Sequence, residues 1–240
     1  MYLNTPLLIS RSLLGAIGTQ MFVYHQDRIP QSGAVLVVSN HRSFLDAPLL
    51  MASLGRNIHF ACHHYMGQVP ILREAIEQLG CFPLDEPGAR QKQFFGQAVQ
   101  LLQRRQVVGI FPEGAFPMVN FTQPDRMGKF QKGFAHLALR ATVPDLMVLP
   151  IAIASVEESV SSAVPLKLLS LFDPSEPLFD RSGWHPLVLY RRANVSIGRP
   201  YWIGESQRKS YRGKQAKATV ADIMYHCQTE IVSLLEQGYY

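Results

Sequence analysis

The sequence predicts a single α/β domain with a mixed, mostly parallel central sheet that is flanked by helices. Apolar runs rich in β-branched residues, such as 34–38, 107–111 and 146–154, alternate with segments of helical periodicity. Such runs are typical of strands that are buried on both faces. The 240 residues, of which 47% are hydrophobic, are sufficient for one large core.

The N-terminal element is predicted to be an apolar, amphipathic helix. Thr5 and Pro6 are a favourable helix start, and mostly apolar residues continue to about Tyr24. The helix either lies in a membrane interface or packs on the protein's own core. We expect a membrane-associating helix within residues 1–28 and the main domain over 29–240. The polar and small residues of the helix recur on one face: Arg11, Ser12, Gly15, Gly18 and Thr19.

The remaining elements follow from periodicity and from turn residues. Strands are predicted at 34–38, 57–62, 81–84, 107–111, 146–154 and 187–197. Helices are predicted at 44–54, 71–79, 91–105, 133–142 and 215–237. Gly55 and Gly80 end two of these helices, as C-terminal glycines do. The segment 155–185 is rich in Ser and Pro and is predicted to be an irregular excursion between two strands.

His41 and Asp46 are the first candidate functional residues, since they directly follow the first buried strand in the segment NHRSFLD (40–46). Open α/β sheets bind their ligands at the carboxyl ends of the strands. A histidine that is oriented by a carboxylate is a typical general base. Alternatively, Asp46 only favours a helix N-terminus and His41 is an ordinary loop residue.

A second strand, 107–111, ends in a comparable way. Pro112 stops the strand, Glu113 supplies a carboxylate, and Gly114 permits a sharp turn or the close approach of a ligand. Its alternative interpretation is an ordinary turn with an exposed glutamate. Because two neighbouring strand ends carry His, Asp and Glu, an active site is the better interpretation.

These segments resemble, in order and spacing, the conserved blocks of the glycerolipid acyltransferase family. The best-known members of this family are the 1-acylglycerol-3-phosphate acyltransferases of the PlsC type. The resemblance covers about residues 30–155, and it identifies a family without identifying a substrate. It is carried by NHRSFLD (40–46), FPEG (111–114) and LPI (149–151).

The resemblance implies an acyltransferase that moves a fatty acyl group from acyl-CoA or acyl carrier protein to a glycerolipid hydroxyl. The first acceptor to consider is the lysophospholipid 1-acylglycerol-3-phosphate. His41 would be the base and Asp46 its orienting acid, while Asn40 would shape the turn. Glu113 and Gly114 would line the acceptor site. The resemblance also favours a peripheral or monotopic protein on the cytoplasmic face of a membrane.

The acceptor site departs from the family pattern. Ala115 and Phe116 stand where the family usually has Thr and often a basic residue, and Glu86 stands near the usual position of an arginine. These departures favour another lysolipid, or a lipid hydroxyl without phosphate, as the alternative acceptor. A non-catalytic lipid-binding protein is the alternative of another class. The available cations for a phosphate are Arg90, Lys129 and Lys132.

Composition excludes several other classes of protein. The net charge of +5 favours anionic partners such as lipid headgroups or an acyl carrier, but no nucleic-acid-binding motif appears. The three cysteines show no pairing pattern, and no stretch has the length of a transmembrane helix. No metal or organic cofactor is expected, because the cluster His59, Cys62, His63 and His64 lacks the spacing of a tetrahedral zinc site.

Overall fold

The structure of the chain is a computed structural model, and it describes residues 5–62, 74, 77–83, 87–114, 122–124, 126–169 and 182–238. Most of the predicted helix 71–79 lies outside the described residues. The same holds for Ala115, Phe116 and Glu86, on which the alternative acceptor depends, and for residues 170–181 of the predicted excursion 155–185.

The described elements alternate between strands and helices over most of the chain. The strands are β1 (Gln20–Tyr24), β2 (Val35–Ser39), β3 (Ile58–Cys62), β4 (Phe82–Pro83), β5 (Val107–Ile110), β6 (Leu146–Pro165), β7 (Trp184–Ile197) and β8 (Tyr201–Ile203). The α-helices are α1 (Thr5–Ile17), α2 (Asp46–Leu54), α3 (Pro87–Gln103), α4 (Gly133–Arg140), α5 (Leu166–Leu169), α6 (Glu205–Ser210) and α7 (Ala216–Glu236). A short 3-10 helix covers Gln26–Arg28.

Eight strands of the described chain form one mixed sheet. Their order is β1-β7-β6-β2-β5-β3-β4, and β8 pairs with the start of β6. Strands β2, β3, β4, β5 and β6 are parallel, whereas β7 and β8 run antiparallel to β6. Strands β2 and β5 end side by side, which brings the segments after Ser39 and Ile110 to the same edge of the sheet.

Helices cover both faces of the sheet, and two hydrophobic clusters result. Leu36 and Val38 of β2 point to the cluster formed with α3, α4 and α7. Val35 and Val37, which alternate with them, point to the cluster formed with α1 and α2. A strand buried on both faces explains the uninterrupted apolar run. The predicted α/β fold with a mostly parallel sheet is therefore confirmed.

The N-terminal helix is shorter than predicted, because α1 ends at Ile17 and the predicted helical residues 20–24 form β1. Gly18 adopts a positive φ of 78°, which breaks the helix, and Thr19 then donates a hydrogen bond to the carbonyl oxygen of Tyr190 at 2.8 Å. Strand β1 pairs in parallel with β7 at the edge of the sheet. The prediction of a helix up to Tyr24 was wrong because hydrophobicity alone does not reveal an edge strand.

Helix α1 packs one face on the domain's own core. Leu7, Ser10 and Leu14 are buried, and the Ser10 hydroxyl lies 3.4 Å from the Met51 sulfur of α2. The backbone N–H of Leu7 donates to the side-chain oxygen of Asn57 at 3.1 Å. Of the two interpretations of this helix, packing on the core accounts for this face.

The described residues of the predicted excursion, 155–169 and 182–185, are mostly strand and helix instead of an irregular segment. Strand β6 continues to Pro165 and pairs with β7, which begins at Trp184. We call the paired segments 155–165 and 184–192 the β6–β7 arm. An arm of about ten residues reaches roughly 30 Å, and it projects beyond the edge at which β2 and β5 end. The sequence gives no alternating pattern here, because three polar residues separate Val156 from Val160 and register shifts interrupt the pairing between Ser155 and Glu158.

Gly109 of β5 permits a close approach of the Phe60 ring from β3. A Cβ atom at this position would overlap that ring, so Gly109→Ala should lower the free energy of unfolding by about 1–3 kcal/mol. The matched control is Gly96→Ala on the exposed face of α3, where nothing lies within 4 Å. That variant should gain up to about 1 kcal/mol from helix propensity. Urea unfolding measures both, and equal stability of the two variants would contradict this account of Gly109.

Candidate active site

His41 and Asp46 lie in hydrogen-bond contact at the carboxyl edge of the sheet. His41 belongs to the loop after β2, and Asp46 is the first residue of α2. The His41 Nδ1 atom lies 2.8 Å from Oδ2 of Asp46. The Asp46 side chain is 1% exposed, whereas that of His41 is 15% exposed. The structure therefore brings the predicted pair together, with the acid inside and the imidazole reaching the surface.

The Asp46 carboxylate receives hydrogen bonds from three further donors. Its Oδ2 atom accepts the backbone N–H groups of Arg42 at 2.7 Å and Ser43 at 2.9 Å. Its Oδ1 atom accepts the hydroxyl of Tyr190 at 2.8 Å. Because an ionised carboxylate only accepts, Nδ1 of His41 carries a proton towards Asp46 and Nε2 carries the lone pair. This is the tautomer that a general base requires.

An aromatic ring packs against one face of the His41 imidazole. The rings of His41 and Phe111 stack with centroids 4.0 Å apart and an interplanar angle of 12°. Phe60 stacks on the other side of Phe111 at 5.1 Å and 7°. Gly109 makes room for Phe60, as described above. The orientation of His41 is therefore set by Asp46 at one ring atom and by a stack of two phenylalanines at one ring face.

Glu113 connects the loop 40–45 between β2 and α2 to the segment around Gly128. Because this loop carries the candidate base His41, we call it the catalytic loop. Its Oε1 atom accepts the backbone N–H of His41 at 3.0 Å, and its Oε2 atom accepts the N–H of Gly128. Burial raises the pKa of Glu113, while the two amides act in the opposite direction. A Cβ atom on Gly128 would lie 2.8 Å from Oε2. Both carboxylate oxygens thus hold backbone, which gives Glu113 a role in shaping the loop besides the predicted role at the acceptor.

Asn40 and Gly114 shape the two strand ends. The side chain of Asn40 exchanges two hydrogen bonds of 2.8 Å with the backbone N–H and carbonyl of Ile153, so it continues the pairing of β2 with β6. Asn40 is buried, as its implied role in the turn requires. Gly114 has a φ of 69°, and the N–H of Gln131 donates to the carbonyl of Pro112 beside it at 2.8 Å.

The predicted cations occupy different places relative to the pair. Lys129 is exposed and follows Gly128, whose amide binds Glu113. Lys132 is also exposed and precedes α4. Arg90 lies in the first turns of α3, but its side chain is outside the described residues. The structure therefore places two of the three cations near the Glu113 loop, and their role at the acceptor stays a prediction.

Sequence reasoning missed three residues that contact this site. Tyr190 binds Asp46 from β7, and Arg42 is buried with its guanidinium 2.8 and 3.0 Å from the two oxygens of Glu158. Arg42 belongs to the NHRSFLD segment itself, but nothing in that segment reveals that its partner is more than a hundred residues away. Glu158 lies in residues 155–165, which the sequence does not predict as a strand. Tyr190 lies in the predicted strand 187–197, but nothing in its local sequence links it to Asp46.

Neither a metal site nor a membrane-crossing helix is found among the described residues. Within the described residues, no group of three or more His, Cys, Asp or Glu side chains is arranged to hold a metal ion. His63 and His64 of the predicted cluster lie outside these residues. None of the described helices has both the length and the hydropathy of a membrane-crossing segment.

A family model described as Acyltransferase matches residues 20–154, which is more than half of the chain. The chain belongs to the Acyltransferase family. The match contains β2, the pair His41 and Asp46, and the FPEG segment at 111–114. The resemblance that the sequence motifs suggest is thereby confirmed.

Relatives of this acyltransferase domain agree with the assignment. A protein of Mycobacterium tuberculosis strain ATCC 25618 / H37Rv, itself uncharacterized, is 28% identical over 190 residues, covering 72% of this chain and 50% of its own. A probable 1-acyl-sn-glycerol-3-phosphate acyltransferase of Mycoplasma pneumoniae is 24% identical over 132 residues, covering 53% of this chain and 47% of its own. The chain thus spans about half the length of these curated relatives.

A solved structure shares the fold. The crystal structure of the 1-acyl-sn-glycerophosphate (LPA) acyltransferase, PlsC, from Thermotoga maritima superposes with a TM-score of 0.62. The superposition covers 97% of this chain and 77% of that chain, at 16% sequence identity. At this identity the likeness establishes the fold, while the substrate remains a matter for proposal.

Glu113→Gln tests the role of the Glu113 carboxylate. A glutamine presents one acceptor and one NH2 group, so one of the two backbone amides would face another donor. We expect kcat of acyl transfer to fall about tenfold, because the His41 backbone loses its fixed position, and the unfolding free energy to fall by about 1–3 kcal/mol.

The matched control for this variant is Glu230→Gln in α7. Glu230 is equally buried and also binds a backbone amide, that of Arg199, at 2.9 Å. Glu230→Gln should lose comparable stability while the folded enzyme keeps its kcat. If the two variants lost the same fraction of activity at a temperature where both are folded, Glu113 would have no specific role in the loop.

Proposed function

We propose that this acyltransferase moves a fatty acyl group from a thioester donor, acyl-CoA or acyl carrier protein, to a hydroxyl of a glycerolipid. The first acceptor we propose is 1-acylglycerol-3-phosphate. The observation that carries the proposal is the contact of 2.8 Å between His41 and a buried Asp46 in a member of the Acyltransferase family. An imidazole oriented in this way removes a proton from an attacking hydroxyl.

The proposed reaction is a direct transfer. Nε2 of His41 takes the hydroxyl proton while the oxygen attacks the thioester carbonyl, and the tetrahedral intermediate then collapses with loss of the thiolate. The imidazolium returns its proton to the leaving thiolate. No group on the protein is acylated, and no cofactor is required. Asp46 stays ionised throughout and stabilises the imidazolium.

The arrangement of the serines beside His41 supports this direct route. The Ser43 hydroxyl donates to the carbonyl of Val188 at 2.6 Å and accepts the N–H of Leu45 at 3.1 Å. Ser43 is buried, as is Ser39 on the other side of Asn40. A nucleophilic serine must be exposed and must bond to the base, and Ser43 instead holds the loop against β7.

A second acceptor is proposed beside the first. Ala115 and Phe116 replace the residues that the family pattern would place after Glu-Gly, and Glu86 adds a negative charge near the expected arginine. These residues favour another lysolipid, or a glycolipid or amino-lipid hydroxyl, over an acceptor with an exposed phosphate.

We propose peripheral attachment to the cytoplasmic face of a membrane. A lipid acceptor is reached most readily from a membrane surface, and the net charge of +5 favours an anionic surface. Large apolar side chains are exposed in the loop after β2, at Phe44, and farther out on the β6–β7 arm, at Val160 and Trp184. On α1, Leu8 is exposed on the face that does not pack on the core.

His41→Ala and Asp46→Asn test the proposed chemistry. The purified protein is incubated with a radiolabelled acyl thioester and a panel of lysolipids that includes 1-acylglycerol-3-phosphate. We expect transfer by the wild type, loss of activity in His41→Ala, and a fall in kcat of about 10³–10⁴-fold in Asp46→Asn because the tautomer is no longer held. Equal turnover by wild type and His41→Ala would exclude His41 as the base. Turnover only with phosphate-free acceptors would select the second acceptor class.

Arg90→Ala tests the proposed phosphate contact. If Arg90 binds an acceptor phosphate, the variant should raise the acceptor KM about tenfold and leave kcat nearly unchanged. Arg104→Ala is the control, since Arg104 lies just beyond the other end of α3. An acceptor KM that moves equally in both variants, or in neither, would remove Arg90 from the acceptor site.

A further inference from the structure

Tyr190 is the donor that the structure gives to the second oxygen of Asp46. The Oδ2 atom accepts hydrogen bonds from three donors, which are the His41 ring and two backbone amides. The Oδ1 atom accepts one from the Tyr190 hydroxyl, at 2.8 Å. Tyr190 is 1% exposed, so water does not compete for this contact. Burial and the neighbouring Asp46 carboxylate raise the pKa of Tyr190 well above that of an ordinary phenol. The hydroxyl therefore remains a neutral donor at any working pH.

Arg42 attaches the β6–β7 arm to the catalytic loop. Its guanidinium binds both oxygens of Glu158, at 2.8 and 3.0 Å, and also the carbonyl of Thr122 at 2.7 and 3.0 Å. The Arg42 side chain is buried. Burial acts to raise the pKa of Glu158, but the hydrogen bonds from Arg42 and Ser155 and the charge of Arg42 together outweigh it, so the pKa of Glu158 is lowered. A buried two-point pair of this kind has a fixed geometry.

Glu158 and Tyr190 are direct neighbours across the arm. They are partners in the antiparallel register of β6 and β7. Glu158 therefore holds the arm at the position from which Tyr190 reaches Asp46. A third tie is the Ser43 hydroxyl, which donates to the carbonyl of Val188, two residues before Tyr190. Loop and arm are thus joined through the same residues, 42 and 43, whose amides bind Asp46.

We propose that the β6–β7 arm is part of the catalytic apparatus, with Tyr190 as a positioning residue for Asp46 and the Arg42–Glu158 pair as the clamp that seats it. This inference rests on the proposed function, because it assigns a role within the same acid-base step. The tyrosine hydroxyl fixes the rotation of the carboxylate, so that Oδ2 faces Nδ1 of His41.

Tyr190→Phe measures the contribution of this hydroxyl. The substitution removes one oxygen and leaves the ring in place. We expect kcat to fall about tenfold with both KM values unchanged, since Tyr190 contacts no substrate. In the ¹⁵N NMR spectrum of the histidine-labelled variant, the preference of His41 for the Nδ1–H tautomer should weaken, because the Asp46 carboxylate is no longer held at Oδ1. The matched control is Tyr201→Phe, which removes a tyrosine–aspartate hydrogen bond of 2.6 Å, to Asp222, away from the site.

Unchanged kcat and an unchanged tautomer preference of His41 in Tyr190→Phe would overturn the inference. A loss of activity with the tautomer preference unchanged would also overturn it, since a purely structural role lowers the active fraction without changing how Asp46 holds His41. If His41→Ala retained transfer, the proposed function itself would fail. Inactive His41→Ala with fully active Tyr190→Phe would remove only the role of the arm.

Glu158→Gln tests the clamp separately from the tyrosine. It leaves Arg42 with a weaker partner, and we expect kcat to fall several-fold. Glu157→Gln is the control, since Glu157 is the adjacent, exposed residue of the arm and should retain full activity. If the clamp acts through Tyr190, the double variant Tyr190→Phe/Glu158→Gln should be no slower than Tyr190→Phe alone. Effects that multiply would show that the pair does not act through Tyr190.

Discussion

The buried carboxylate of Asp46 is the constraint on which the rest of this site depends. A buried charge is costly unless hydrogen bonds replace its hydration. Here the donors come from His41, from the backbone of residues 42 and 43, and from Tyr190. Satisfying this one group therefore requires the loop after β2, the first turn of α2 and strand β7 to meet at a single point. The same requirement gives His41 its tautomer and its orientation.

The edge of the sheet and the β6–β7 arm form the two sides of the site. The parallel strands β2 and β5 bring the NHRSFLD and FPEG segments together, and Glu113 joins them by accepting the N–H of His41. The arm closes the opposite side through Arg42, Ser43 and Tyr190. The catalytic loop is thereby held from both directions, which suits a reaction that depends on the position of a single proton acceptor.

Local sequence patterns predict the core of this fold and the identity of the pair. The runs 34–38 and 107–111 are buried on both faces, so their hydrophobicity is sufficient to place them as strands, and residues that follow such strands meet at one edge. The pattern fails where long-range pairing decides the structure. Residues 20–24 become a strand only because β7 offers an edge, and 155–165 only because β7 pairs with them. Glu158 was missed for the same reason, whereas Tyr190 lies in the predicted strand 187–197 and its contact with Asp46 appears only in the tertiary structure.

The proposed chemistry requires Nδ1 of His41 to carry the proton and Nε2 to carry the lone pair that takes a proton from the acceptor hydroxyl. The ¹⁵N NMR spectrum of the histidine-labelled protein at neutral pH, assigned with a His41→Gln variant, distinguishes the two tautomers. We expect His41 to be the Nδ1–H tautomer in the wild type and to lose that preference in Asp46→Asn. A wild-type His41 that is protonated at Nε2 instead would contradict it, because that nitrogen would have no lone pair for the acceptor proton.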